Sequence, residues 1–422
     1  MADRSARRDK TMTAVRANLR EYIVTYVFLL MSIAFIILSG RTLPDIFTQV
    51  MGRLSRNLFI VLALIIPIIA GMGINFAITI GAMAAQLGLM LAINWNLDGI
   101  TGLLAAAGIT LPLGALLGFL IGSLLNKMKG QETIGSLILG YFANGAYQLL
   151  FLFIFGNLIP LSDRVTIVGA TGVANTLNLI GGGLYMGLDK LWQLPFATAL
   201  YGVSGLICLI TGALFLMKRL SLKRFAFLAG PAAVLSALVL LVPVIQGIVR
   251  NTRVPMVPFL LVGLLCVFNV AIMRTRLGQK FRAVGQSRAV ANASGINVNR
   301  VRIIAIMIST VLAGWGQIIY IQNLGTLQTY SAHEMMGLFA GASILVGGAS
   351  LNRATNTQAI VGTLLFHILF TVSQDAGRTL LGNPNVGEYF RVFLAYGVIA
   401  VALVMHTWRA NVARSKKSVL QA

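Results

Sequence analysis

Five side-chain amides stand in or beside long apolar runs of this chain: Asn75, Gln86, Asn144, Gln148 and Gln317. A primary amide carries both donors and acceptors without a charge. Such groups suit a neutral, hydroxyl-rich solute moving between helices, and they equally suit a polar tie from one buried helix to the next. Asn75 and Gln86 are eleven positions apart, the spacing of one helical face, and Asn144 and Gln148 stand at i and i+4. These five are the candidate lining of a substrate path, with the structural tie as the competing reading at each position.

Other chemistry is missing from the pattern. The sequence has no GxxxxGK[ST] phosphate loop, no HExxH, no GxSxG and no group of residues at metal-ligand spacing. No catalytic residue, metal site or bound cofactor is therefore expected in this chain. The apolar runs keep Asp, Glu, Lys and Arg out of their interiors, with Glu132 and Glu334 at helix beginnings and His367, in "LLFHILFT", as the ionisable residue expected at depth. A hydrogen-bonded structural role suits that histidine better than a proton relay. A self-sufficient secondary carrier with twelve helices would need such a buried ionisable group, and His367 alone qualifies. Otherwise, energy for uphill movement must come from outside the chain. Cys208 and Cys266 fall inside apolar runs and read as small buried hydrophobes.

The elements that position these residues belong to a membrane. In 422 residues, 57% are hydrophobic and 10% charged, far from a soluble domain's balance. Runs near the length that spans hydrocarbon start at about Tyr22, Leu58, Asn75, Leu103, Thr133, Leu194, Phe225, Pro255, Ile303, Met335, Ala359 and Tyr389, those at Met335 and Ala359 being short. The expected fold is an all-α polytopic helical bundle of about 10–12 transmembrane helices in the plasma or inner membrane, with both termini cytoplasmic. The net charge of +22 suits that orientation, because roughly 24 of the 33 Lys and Arg then fall on the cytoplasmic side. Topology accounts for the charge without nucleic acid. Residues 1–21 read as a cytoplasmic N-terminal tail, 22–407 as the transmembrane domain and 408–422 as a cytoplasmic C-terminal tail.

Glycine concentrates in "GALLGFLIG" at 114–122 and "GLFAGASILVGG" at 337–348. Small residues at helical spacing let transmembrane backbones approach closely, so these read as helix-contact faces. Two glycine-interrupted stretches, "GMGINFAITIGAMAAQ" at 71–86 and "MMGLFAGASILVGGAS" at 335–350, look like counterparts in the two halves. Broken apolar segments in corresponding halves point to a transport path.

One cytoplasmic stretch differs from its surroundings: "GQKFRAVGQSRAVANASGINVNR", residues 278–300, with Lys280, Arg282, Arg288 and Arg300 and no acid. Phe281 is its sole aromatic, too little for stacking on nucleic acid. Arg274, Arg276 and Lys280 suit lipid headgroups at the membrane edge. The alanine-rich middle, residues 286–294 between Gly285 and Gly295, reads as a short helix that turns sharply at each end. Its face of Ala289, Val290 and Ala293 would fill a shallow groove on another protein.

The same stretch resembles the cytoplasmic segment of permease subunits of bacterial ABC importers of the branched-chain amino acid, ribose and nucleoside type. Gly278, Arg282, Ala283, Gly285, Gly295 and Ile296 carry the likeness, with ten positions from Gly285 to Gly295. "NKMKGQETIGSLILGYFANG", residues 126–145, is similar to the nucleoside and simple-sugar branch, and "GINFAITIGAMAAQ" to the family's glycine-rich segment. The resemblance implies that residues 274–302 dock a cytoplasmic ATPase, that two permease chains enclose a pore in the bilayer, and that an extracytoplasmic binding protein delivers the solute. ATP would be hydrolysed by the partner subunit, and the solute would be a simple sugar or a nucleoside. Residues 194–245 then look like an extra helical hairpin beyond the family's usual count of about ten helices.

Overall fold

A computed structural model describes residues 22–404, leaving 129, 155–157, 159–167, 170–171, 174–175, 218–220, 384, 394–395, 398–399 and 402–403 outside the description. The two expected tails, 1–21 and 408–422, lie outside the described residues.

Helices dominate. The first is α1 (Ile23–Ser39), ended by Gly40 in a left-handed turn, followed by α2 (Leu43–Leu62) and the short α3 (Ile65–Ile69). After a break come α4 (Ile78–Asn94), α5 (Gly99–Lys127) and α6 (Glu132–Ile154). Four short strands follow, β1 (Val168–Gly169), β2 (Gly172–Val173), β3 (Thr176–Asn178) and β4 (Gln193–Pro195), then α7 (Phe196–Leu216), α8 (Leu222–Leu241), α9 (Pro243–Val249) and β5 (Arg253–Pro255). The last third holds α10 (Met256–Arg274), α11 (Arg276–Gln286), α12 (Arg288–Ala293), α13 (Val298–Leu324), β6 (Thr326–Gln328), α14 (Met336–Val346) and α15 (Asn356–Leu381). Residues 385–393 are again helical. Among the described residues, seven helices are long and apolar enough to cross a membrane, and α1, α4 and α14 are shorter apolar helices. The chain is a multi-pass membrane protein.

Backbone contact at glycine brings the central helices together. Gly114, Gly118 and Gly122 on one stripe of α5 lie against Val311, Met307 and Ile303 of α13; a Cβ on Gly118 would come 2.8 Å from the Met307 Cα. A Cβ on Gly81 of α4 would strike the Thr310 carbonyl, and one on Gly314 would come 2.9 Å from the Gly81 carbonyl. Where no water competes, this close packing replaces the hydrophobic effect as the source of association. The ribbons between the helices are small: β3 pairs antiparallel with β6 and β4 with β5.

Several boundaries differ from the sequence reading. The run expected from Leu58 begins at Leu43, because α2 accommodates Arg53 and Arg56 inside the helix by stacking their guanidiniums on the rings of Phe370 and Tyr320, 5.0 and 5.8 Å from the centroids. The run expected as short from Ala359 is the 26-residue α15, which carries Asp375 and Arg378 near its outer end. His367 is thus not alone among ionisable groups on these helices. It is buried with its ring edge-on to Phe366 and Phe370, and its Nδ1 has no hydrogen-bond partner.

Candidate functional site

Asn75 and Gln86 do not share a helix. Gly71 and Gly73 adopt φ of +72° and +69°, which unwinds residues 71–77 so that α4 starts only at Ile78. Asn75 lies in this break, where its Oδ1 accepts from the Ala77 N–H at 3.1 Å and its Nδ2 is buried without a partner.

The other four amides converge on one short segment, residues 330–334, just before α14. Gln317 Nε2 donates to the Ala332 carbonyl at 3.0 Å and Gln148 Nε2 to the Tyr330 carbonyl at 3.4 Å. His333, fully buried, meets Gln86 Oε1 at 3.0 Å through Nδ1 and Asn144 Oδ1 at 2.7 Å through Nε2. Asn144 Nδ2 donates to Glu334 Oε1 at 2.8 Å. Spacing on α6 was legible in the sequence, since Asn144 and Gln148 do point the same way. Their partner was not: His333 follows a turn-rich stretch, and its burial comes only from the tertiary packing of α4, α6 and α13 around it. The Tyr147 ring completes that packing, edge-on at 4.9 Å between centroids.

The two glycine-interrupted stretches meet beside this knot. Gly337, in the first turn of α14, lies so close to the break that a Cβ would come 2.5 Å from the Phe76 carbonyl, and one on Gly341 would come 2.6 Å from the Phe76 ring. The start of α4 and the start of α14 therefore face the same space, a cavity of about 160 Å³ lined by residues including Phe76, Thr79, Tyr141, Asn144, Glu334 and Tyr396. Two helix N-termini supply partial positive charge, Glu334 a carboxylate, Asn144 an amide, and the rings flat apolar faces. Such a lining can hold a small polyhydroxylated molecule by hydrogen bonds at its rim and ring stacking on its face. Of the five predicted path residues, Asn144 lines the cavity; Gln86, Gln148 and Gln317 hold its wall from behind, and Asn75 belongs to the adjoining break.

The segment 274–302, expected on the cytoplasmic side, opens three capped helices in succession. Thr275 accepts the Gly278 N–H at 3.2 Å, Ser287 the Val290 N–H at 3.3 Å and Asn297 the Arg300 N–H at 3.0 Å. The short helix is therefore Arg288–Ala293, and its opening turn is made by Ser287. Gly285 is not that turn: it sits within α11, where a Cβ would strike the Ile69 carbonyl and where Gly71 lies alongside. Gly278 is likewise pressed against Ile272 and Met273. Gly295 does end α12, at φ +78°. Arg282, Ala289 and Ala293 are exposed, and Val290 is 65% exposed; Ala283 and Ile296 are half-buried and pack against the core. Arg288 points inward, donating to Glu132 Oε1 at 2.6 Å.

The hairpin of α7 and α8 stands apart. Over its apolar stretches 17% and 12% of residues are buried, against 61% in α13.

A family model described as the branched-chain amino acid transport system permease component matches residues 46–403. The ribose import permease protein of Escherichia coli is 33% identical over 162 residues, 38% of this chain and 47% of that protein. The autoinducer 2 import system permease protein of Klebsiella pneumoniae is 34% identical over 149 residues, 35% of this chain and 41% of that protein. The nucleoside ABC transporter permease protein of Lactococcus lactis is 26% identical over 169 residues, 40% of this chain and 51% of that protein. The matched part of the chain spans about half the length of these curated relatives. No solved structure matches the chain.

Proposed function

The chain belongs to the family of branched-chain amino acid transport system permease components, and from that premise we propose that it is the membrane subunit of an ABC importer for a simple sugar or a nucleoside. The supporting observation is the junction of the two broken segments, where Phe76, Tyr141, Asn144 and Glu334 border one small cavity. Relatives whose names specify ribose and nucleoside import support the same solute class.

In this reading α12 seats in a groove of a cytoplasmic ATPase through Ala289, Val290 and Ala293, a second permease chain completes the pore, and an extracytoplasmic binding protein delivers the solute. ATP hydrolysis belongs to the partner, and this chain supplies the path. Lining residues act by position: Asn144 and Glu334 present an amide and a carboxylate to hydroxyl groups, while Phe76 and Tyr141 offer faces to a sugar or base ring.

The test is reconstitution of the chain with a cognate ATPase and binding protein, followed by ATP-dependent uptake of labelled ribose and of nucleosides. Val290→Glu should abolish co-elution of the ATPase, since it would bury an unpaired carboxylate in the groove. A second reading, a carrier driven by an ion gradient, draws on His333 and Glu334 at the cavity. Uptake by the chain alone that an ionophore collapses and ATP does not affect would establish that reading instead.

A further inference from the structure

We infer that α6 is a rod coupling the ATPase-docking helix to the solute cavity, with Glu132, Arg288 and Arg302 as the positioning residues at its cytoplasmic end. The inference rests on the permease reading above and specifies how motion crosses the chain.

Glu132 opens α6 and is buried. Its Oε1 accepts from Arg288 of α12 and from Arg302 near the start of α13. Both arginines also hold the break that follows α3: Arg288 donates to the Gly71 carbonyl at 3.3 Å, and Arg302 Nε lies 2.7 Å from Met72 Sδ. Arg302, 1% exposed, donates further to Asn126 Oδ1 at 2.9 Å, at the end of α5. One carboxylate thus gathers the docking helix, the ends of two long helices and the break. Removing Glu132 would leave the buried Arg302 without its counter-charge, so the group moves together.

The next turn of α6 grips the same break farther along. Ser136 Oγ accepts the Phe76 N–H at 3.0 Å and lies 3.3 Å from the Ile74 carbonyl, and Gly73 presses against the Thr133 side chain. Two turns on, Gly140, Tyr141 and Asn144 form the cavity wall. From Glu132 to Asn144 a helix rises roughly 18 Å. A displacement of α12 therefore reaches the cavity by two routes: through Glu132 along α6, and through the Arg288–Gly71 contact along the break to Phe76.

The experiment uses the chain with its ATPase and binding protein, in lipid nanodiscs for labelling and in proteoliposomes for uptake, with Cys208→Ser, Cys266→Ser and a reporter Thr79→Cys on the cavity wall. In the parent, ATP should change the rate of thiol labelling at the reporter. Glu132→Gln should keep the ATPase bound and hydrolysing, shrink that ATP-dependent change by about tenfold, and raise the ATP consumed per solute delivered; Glu132→Asp should restore part of both. Ser136→Ala, which removes only hydroxyl contacts, should give a weaker form of the same defect if Glu132→Gln fails to accumulate. Normal ATP-dependent labelling and stoichiometry in both variants would overturn the inference. Hydrogen exchange on the chain alone separates this from a failure of the permease reading. Glu132→Gln should speed exchange at residues 71–77 and 288–296 together, and unchanged exchange at both would overturn the rod whether or not an ATPase binds.

Discussion

The hairpin of α7 and α8 and the crossing of α4 on α13 are similarly apolar in sequence and opposite in structure. In α13 glycines face backbone: Gly314 meets the Gly81 carbonyl, and a Cβ on Gly316 would come 3.2 Å from the Ile60 Cα. In the hairpin, Gly202, Gly205, Gly212 and Gly230 have nothing within 4 Å of where a Cβ would stand. The large side chains follow suit, with Leu209 and Leu216 exposed on α7 while Ile318, Ile319 and Ile321 of α13 are buried. In a bilayer, oiliness says only that a segment is inside the lipid. Close approach and amide ties say that it is inside the protein.

Substitutions at the two places can break that contrast or sharpen it. The largest effect is expected at Gly81→Leu, whose side chain would occupy the place of the Thr310 backbone; overpacking against backbone costs about 3 kcal/mol or more, and the protein should be lost from the monodisperse peak in detergent size-exclusion chromatography. His333→Ala should come next. It leaves Gln86 Oε1 and Asn144 Oδ1 facing an empty space at a cost of about 1–3 kcal/mol, visible as a lower melting midpoint and reduced uptake. Asn75→Ala removes the hydrogen bond to the Ala77 N–H, worth about 1 kcal/mol, and should slow uptake more than it lowers the melting midpoint. Gly205→Leu in the hairpin should stay within about 0.5 kcal/mol of the parent, with uptake unchanged. A large uptake defect there would mean that a second chain packs on the hairpin.

Much of this division is legible in the sequence. The glycine stripe of α5, the paired broken stretches and the α6 amides all follow from spacing, because helical periodicity fixes which residues share a face. Gly295 as a helix stop was readable for the same reason. What the sequence obscured were features set by packing across the chain. Asn75 and Gln86 have helical spacing, and only two glycines at positive φ between the helices show that the helix is interrupted. Gly285 looks like turn punctuation, yet it serves close approach to Ile69 and Gly71. Arg53 and Arg56 look like the end of a span, yet ring stacking carries them within one. His333 is not legible in the sequence, because nothing nearby announces the amides that enclose it.

The contact of Gly285 with Gly71 has a consequence for how this protein changes over generations. It joins α11 to the break through main chain, with no side chain on either partner at the point where they meet. A joint of that kind carries no chemical identity. In the importer reading, the outer face of α12 can drift to match a new ATPase, and the cavity wall can drift to accept a new solute, without either change disturbing the joint. A single methyl group added at the joint is what the lineage cannot absorb. Diversity should therefore accumulate at the two ends of the chain of contacts while these two blank positions stay fixed.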